Sequence, residues 1–209
     1  MKLVGVVLAL VGCGWGGVAG SGKLASEVRP VGRFRDVGVF GAIQAEISDG
    51  GTDRVELAGD DNLIPLVITE VDHEHLQVGN RKDLRPTVPL VARISASEIG
   101  TVGLSGSGSV ALHGLHEDSL TLEVTGSGTV RGDGAVRQLR IDVSGSGTVD
   151  LGQLPAERAS VTISGSGNVE IAVSRALDVH ISGSGAVTYR GDPTAVKTSI
   201  TGSGHVVKQ

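Results

Sequence analysis

Apolar and polar residues alternate with a period of two along most of this chain. Leu120, Leu122, Val124, Gly126, Gly128 and Val130 alternate with Thr121, Glu123, Thr125, Ser127 and Thr129. The next stretch repeats the arrangement: Leu139, Ile141, Val143, Gly145, Gly147, Val149 and Leu151 alternate with Arg140, Asp142, Ser144, Ser146 and Thr148. Successive side chains of a strand point to opposite faces, so period two predicts strands rather than helices. The parity runs unbroken through each G-S-G, which predicts both glycines inward and the serine outward. Glycine is expected where a coil bends or its walls come too close for a side chain.

Upstream the alternation is weaker. It is carried by Ile43, Ala45 and Ile47, by Val55 and Leu57, by Leu66 and Ile68, by Leu76 and Val78, and by Leu90, Ala92 and Ile94. Turn-forming segments separate these runs: SDGGTD, AGDDN, VDHEH and GNRKDLRP. Asp61 is expected to cap one short helical turn over Asn62–Leu66.

The strongest organising signal is a repeat. The copies read LSGSGSV from Leu104, VTGSGTV from Val124, VSGSGTV from Val143, ISGSGNV from Ile163, ISGSGAV from Ile181 and ITGSGHV from Ile200. Their first glycines, Gly106, Gly126, Gly145, Gly165, Gly183 and Gly202, are 20, 19, 20, 18 and 19 residues apart. A fixed period near 20 marks a stacked repeat architecture. Units this short leave no room for helices between strands. The predicted fold is therefore all-β: a parallel β-solenoid with one coil per repeat and coils about 4.8 Å apart. Crossover chirality favours a right-handed coil. The reading has residues 31–209 as one domain, with a less regular N-terminal capping part (31–103) and the G-S-G repeats (104–209).

Composition supports an ordered aliphatic core. Hydrophobic residues make up 39% of the chain despite 33 glycines, and aromatics only 2%. The first residues, MKLVGVVLALVGCGWGG, combine Lys2 with a short apolar run that is too short to span a bilayer as a helix. They read as an export signal, residues 1–12. Leu10-Val11-Gly12-Cys13 resembles a bacterial lipobox, which makes Cys13, the single cysteine, a candidate lipidation site. Residues 13–30 then read as a Gly-rich tether. About 17 flexible residues would reach roughly 20–25 Å. The expected location is the cell envelope, as a membrane-anchored lipoprotein of the outer membrane or cell surface. The formal net charge is −5 and no basic stripe is visible in the sequence, so nucleic acid is not an expected partner.

The order FRDVGVFGAIQAEISDG, VELAGDDNLIPLVITEV, HLQVGN and PLVARISASEIGTVGLSGSGSV, followed by the repeats with VTYRGDP before the last, resembles the family called putative auto-transporter adhesin, head GIN domain. The likeness covers about residues 31–209. It implies an exported, solenoid-like all-β protein, often lipid-anchored. It brings no catalytic residues.

Candidate chemistry is sparse. His73-Glu74-His75 offers metal-ligating groups, but with no fourth ligand in sight it reads as an exposed hairpin turn. Asp53, Asp60, Asp61 and Asn62 lack the spacing of a calcium loop and read as turn and capping residues. Outward acids such as Glu123, Asp142, Asp150 and Glu170 sit one per unit, whereas a polysaccharide lyase or hydrolase needs converging carboxylates. A carbohydrate-active solenoid enzyme is the alternative function class. No cofactor or metal is expected.

What remains is a surface. The outward positions flanking the glycine pairs are Ser or Thr at 15 of 18 places. Ser105, Ser107, Thr125, Ser127, Ser144, Ser146, Ser164, Ser166, Ser182, Ser184, Thr201 and Ser203 form the candidate binding face, for a glycan or a protein. A plain alternative is that small hydroxyls suit a tight, solvated corner. The short final strand, with Val206 and Val207, makes the solenoid end a candidate contact between copies of the chain.

Overall fold

A computed structural model describes residues 17–209. The export signal expected at 1–12 and the lipidation expected at Cys13 lie outside the described residues. In chain order the strands are β1 (Val18–Ala19), β2 (Leu24–Arg29), β3 (Asp36–Gly41), β4 (Gln44–Asp49), β5 (Arg54–Asp60), β6 (Val67–Asp72), β7 (His75–Asn80), β8 (Leu84–Arg85) and β9 (Val91–Ala96). They continue with β10 (Thr101–Gly106), β11 (Ser109–Gly126), β12 (Thr129–Gly145), β13 (Thr148–Gly165), β14 (Asn168–Gly183), β15 (Ala186–Arg190), β16 (Ala195–Gly202) and β17 (His205–Lys208).

The repeats form a parallel β-solenoid. Each of β11 to β14 runs from one G-S-G corner to the next and bends at its variable turn, where the ladder loses register, as between Leu112 and Leu115. Glycine stacks on glycine: Gly106 on Gly126, Gly126 on Gly145, Gly145 on Gly165, Gly165 on Gly183 and Gly183 on Gly202. Each coil therefore contributes to two ladders, one before its corner and one after. Before the corner, Leu104, Val124, Val143, Ile163 and Ile181 form one inward column, all buried. After it, Val110, Val130, Val149, Val169 and Val187 form another. The two ladders close around one continuous aliphatic core.

The N-terminal part is more than a cap. β3 stacks in parallel on β10 with Gly41 opposite Gly106, and β4 stacks on β11. Residues 36–49 thus make a coil, and Gly41-Ala42-Ile43 is a corner without the G-S-G letters. β7 and β9 stack in parallel on the far side of β3 and β4 and make a further coil. Spatial order therefore departs from chain order: the earliest coil lies between the β7–β9 coil and the first G-S-G coil. Parallel stacking then stops, because β6 pairs antiparallel with β7, and β5 antiparallel with β9 and β2.

Three local expectations need correction. The stretch 13–30 read as a strand-free tether, yet β1 pairs with β8 and β2 with β5. Leu24–Arg29 carries no apolar alternation to read, since Leu24 and Val28 lie on its exposed side. The expected helical turn is a short 3-10 helix, Ile64–Leu66, preceded by Leu63 with no side-chain cap. It shifts the following parity by one, so Val67 is buried and Ile68 only half-buried. Asp61 caps nothing there; its carboxylate accepts the Ser21 hydroxyl.

Asp60 ties the N-terminal segment down. It is fully buried and accepts backbone N–H groups from Gly22 at 2.6 Å, Thr87 at 2.8 Å and Val88 at 3.2 Å. Burial opposes its ionisation, but these donors outweigh that and hold its carboxyl below the usual aspartate range.

Two predictions follow from this packing. Ile163→Ala should cost about 2–5 kcal/mol through cavity formation, whereas Ser166→Ala should change stability by less than about 0.5 kcal/mol; denaturant titration measures both. The stability Asp60 contributes should be complete above its unfolded pKa of about 3.9 and disappear as pH falls through its lower folded value. Acid should therefore release residues 17–29 to proteolysis first, and Asp60→Asn should release them at neutral pH.

Candidate binding face

The corner is built by backbone. At each G-S-G the serine N–H donates to the carbonyl of the first glycine one coil away: Ser127 to Gly106 at 3.0 Å, Ser146 to Gly126 at 2.8 Å, Ser166 to Gly145 at 2.8 Å. The first glycine has positive φ, +108° at Gly126, and a Cβ there would sit 2.6 Å from the Gly106 oxygen. A side chain is excluded twice, by conformation and by space. The second glycine faces the core, where a Cβ on Gly147 would lie 2.6 Å from Val124 Cγ1. The inward expectation holds for the second glycine; the first points along the stack at its neighbour's backbone.

Locked glycines force the flanking side chains outward. Ser105, Thr125, Ser144, Ser164, Ser182 and Thr201 occupy one column in register. Ser107, Ser127, Ser146, Ser166, Ser184 and Ser203 follow the stacked glycines as a second column. All are exposed except Ser105, which is half-buried. Five coil steps give a hydroxyl-lined strip of roughly 24 Å. Phe40 stands below Ser105 in the first column and is 42% exposed. Its ring packs over Gly38 and Gly79, which lack side chains of their own. Sequence reasoning missed this seventh corner because Ala42 and Ile43 replace Ser and Gly. The shared signal was the V-x-G of Val39 to Gly41.

The other candidates resolve into structure. His73 and Glu74, both at positive φ, form the two-residue turn of the β6–β7 hairpin. His73 Nδ1 lies 2.7 Å from Asp72, and the Glu74 carbonyl accepts from Arg35 and Asp36 N–H. Asp53 accepts from the Ser97 backbone and hydroxyl, and Asn62 bridges Ser21 and Ala19. No cluster of three or more His, Cys, Asp or Glu is arranged to hold a metal among the described residues.

The acids do not sit singly once the coils stack. Glu123 lies beside Asp142, and Asp150 beside Glu170. Arg140 and Arg190 pair with Asp142 and Glu170. At the variable turns, Glu98, Glu117, Asp118 and Glu157 line a cleft of about 670 Å³. Burial pushes the Glu117 carboxyl up, and Glu98 and Asp49 add repulsion, against the opposing Ile99 N–H bond at 2.8 Å. Asp118 and Glu157 are held by Arg137 and Arg175, each at 3.1 Å.

Among the described residues no helix is long and apolar enough to cross a membrane. No curated protein sequence matches the chain. Solved structures do. A putative adhesin from Bacteroides fragilis superposes with a TM-score of 0.74 at 20% identity, covering 92% of this chain and 100% of that one. A putative lipid binding protein from Parabacteroides distasonis gives 0.56 at 22% identity, over 92% and 99%. A putative adhesin from Parabacteroides merdae gives 0.54 at 18%, over 92% and 98%. At these identities the likeness establishes the shared fold. Residues 33–193 match the family described as "Putative auto-transporter adhesin, head GIN domain", and with its solenoid and stacked glycine corners the chain belongs to that family.

Proposed function

We propose that this protein is a non-enzymatic adhesion or binding module, exported and held at the cell envelope by a lipid on Cys13. The observation that carries the reading is the corner strip. Its backbone is locked coil on coil, and its hydroxyls are presented to solvent in two columns. Such a surface is pre-ordered, so a ligand pays little conformational entropy on docking. The family's description and the adhesin neighbours support a surface role.

The same reading includes contact between copies at the C-terminal coil. Val196 and Ile200 stack on Leu177 and Ile181 in inward columns, yet they are 43% and 41% exposed. Apolar inward positions left open at a sheet edge favour pairing with another chain. Lys208, paired with Asp192 at 2.6 Å, places one ion pair at this edge.

A second reading, a carbohydrate-active enzyme, draws on the acidic cleft at the variable turns. A carboxyl raised by burial beside other acidic side chains is the pattern of a general acid. Polysaccharide turnover by purified protein that is abolished by Glu117→Gln would replace the binding reading with this one.

Three outcomes are expected. Cys13→Ala should move the protein from membranes to a soluble exported fraction, and mass spectrometry should find more than one acyl chain on the native N-terminus, since one chain anchors only marginally. Replacing Ser127, Ser146 and Ser166 together by Arg should leave the strand circular dichroism intact and reduce adhesion to envelope-coated surfaces several-fold. Sedimentation across a concentration series should show self-association that Ile200→Lys removes.

A further inference from the structure

The outer face of the ladder that precedes each corner carries a trough of about 490 Å³. Two outward columns wall it. One contains Arg158; the other contains Arg140, Asp178 and Lys197. Its apolar lining is Ala176 and Ala195, small residues that follow Arg158 in its outward column, over strand backbone whose Leu139 and Leu177 side chains are buried in the core. Three cations and one anion thus face one surface of a chain whose formal net charge is −5. The sequence showed no basic stripe because these cations belong to different repeats, and only coil stacking gathers them. Arg140 is shared with Asp142 on its own strand at 2.8 Å. Arg158 and Lys197 have no carboxylate within ion-pair distance among the described residues. They stand two coils apart, about 9.6 Å along the solenoid axis.

We propose that this trough binds an extended, carboxylate-bearing sugar chain lying along the solenoid axis. This rests on the binding-module reading and names the chemistry of its ligand. Arginine matches carboxylates with paired N–H donors, and lysine supplies a mobile point charge. The open methyl-lined stretch at Ala176 and Ala195 suits the C–H face of a sugar ring. An acidic peptide fits less well. Backbone groups of β12, β13 and β14 are engaged on both sides, and β16 is open only on its outer edge, so a peptide lying along the trough cannot add as a strand. Single-stranded nucleic acid is disfavoured because the trough has no aromatic platform for bases. Asp178, whose carboxylate lies 3.4 Å from His180 Nδ1, opposes an anionic ligand and limits its affinity.

The test is titration of the full-length protein with polygalacturonate at low ionic strength, with dextran, polyglutamate and single-stranded DNA as competitors. Binding is expected to polygalacturonate and not to dextran, and should weaken as salt is added. Arg158→Glu with Lys197→Glu should weaken it at least about tenfold. Arg158→Lys should retain most of it, and Asp178→Asn should tighten it. All these positions lie on the solvent side of the ladder, and unchanged circular dichroism checks the fold. No binding by the wild type, or equal binding by the charge-reversed variant, would overturn the proposal. Competition by polyglutamate or DNA as strong as that of polygalacturonate itself would overturn the assignment to a sugar chain. The adhesion assay on the corner serines reads a different surface, so failure of this site and failure of the module reading are distinguishable.

Discussion

Successive coils meet at their glycine corners by direct backbone contact, and the remaining features of the solenoid depend on that approach. The carbonyl of one first glycine accepts the serine N–H of the next coil, and a Cβ would occupy the space between them. Because the glycines align, the residues on either side align as well. The inward columns of Val and Ile and the outward columns of Ser and Thr are consequences of one register. A coil offset by one residue would exchange the two faces.

That register gives the protein two contrasting outer surfaces. At the corner the side chains are short, hydroxylic and uncharged. On the ladder before it, charged side chains from separate repeats come together. The variable turns form a third region, where carboxylates from several coils line a cleft and burial lifts one of them. Each surface is assembled from residues of several repeats, so surface chemistry depends on stacking as much as on composition.

The N-terminal region shows how such a stack can be closed at one end. The β3–β4 coil is flanked by later parts of the chain on both sides, and the antiparallel strands β2, β5 and β6 end the parallel ladders. Asp60 fastens β5 to the Gly22 turn and to the Thr87–Val88 segment through three backbone donors. A buried carboxylate satisfied this way is a directional clamp, and it accounts for the burial of Asp60 in the GDDN turn.

The sequence alone determined the all-β class, the coil length, the inward identity of Val124 through Ile181 and the outward serines. Those features rest on local alternation and on a period that stacking must respect, and both can be read along the chain. It did not show Gly41 as a corner, because its partner Gly106 lies 65 residues away and the intervening letters differ. Nor did it show the pairing of β2 with β5 or the shift to Val67, which depend on contacts distant in the chain. Only the tertiary structure decided which charges become neighbours. Arg140, Arg158 and Lys197 each look isolated in their own repeat, and their proximity arises from the fold bringing every twentieth residue, roughly, to the same place.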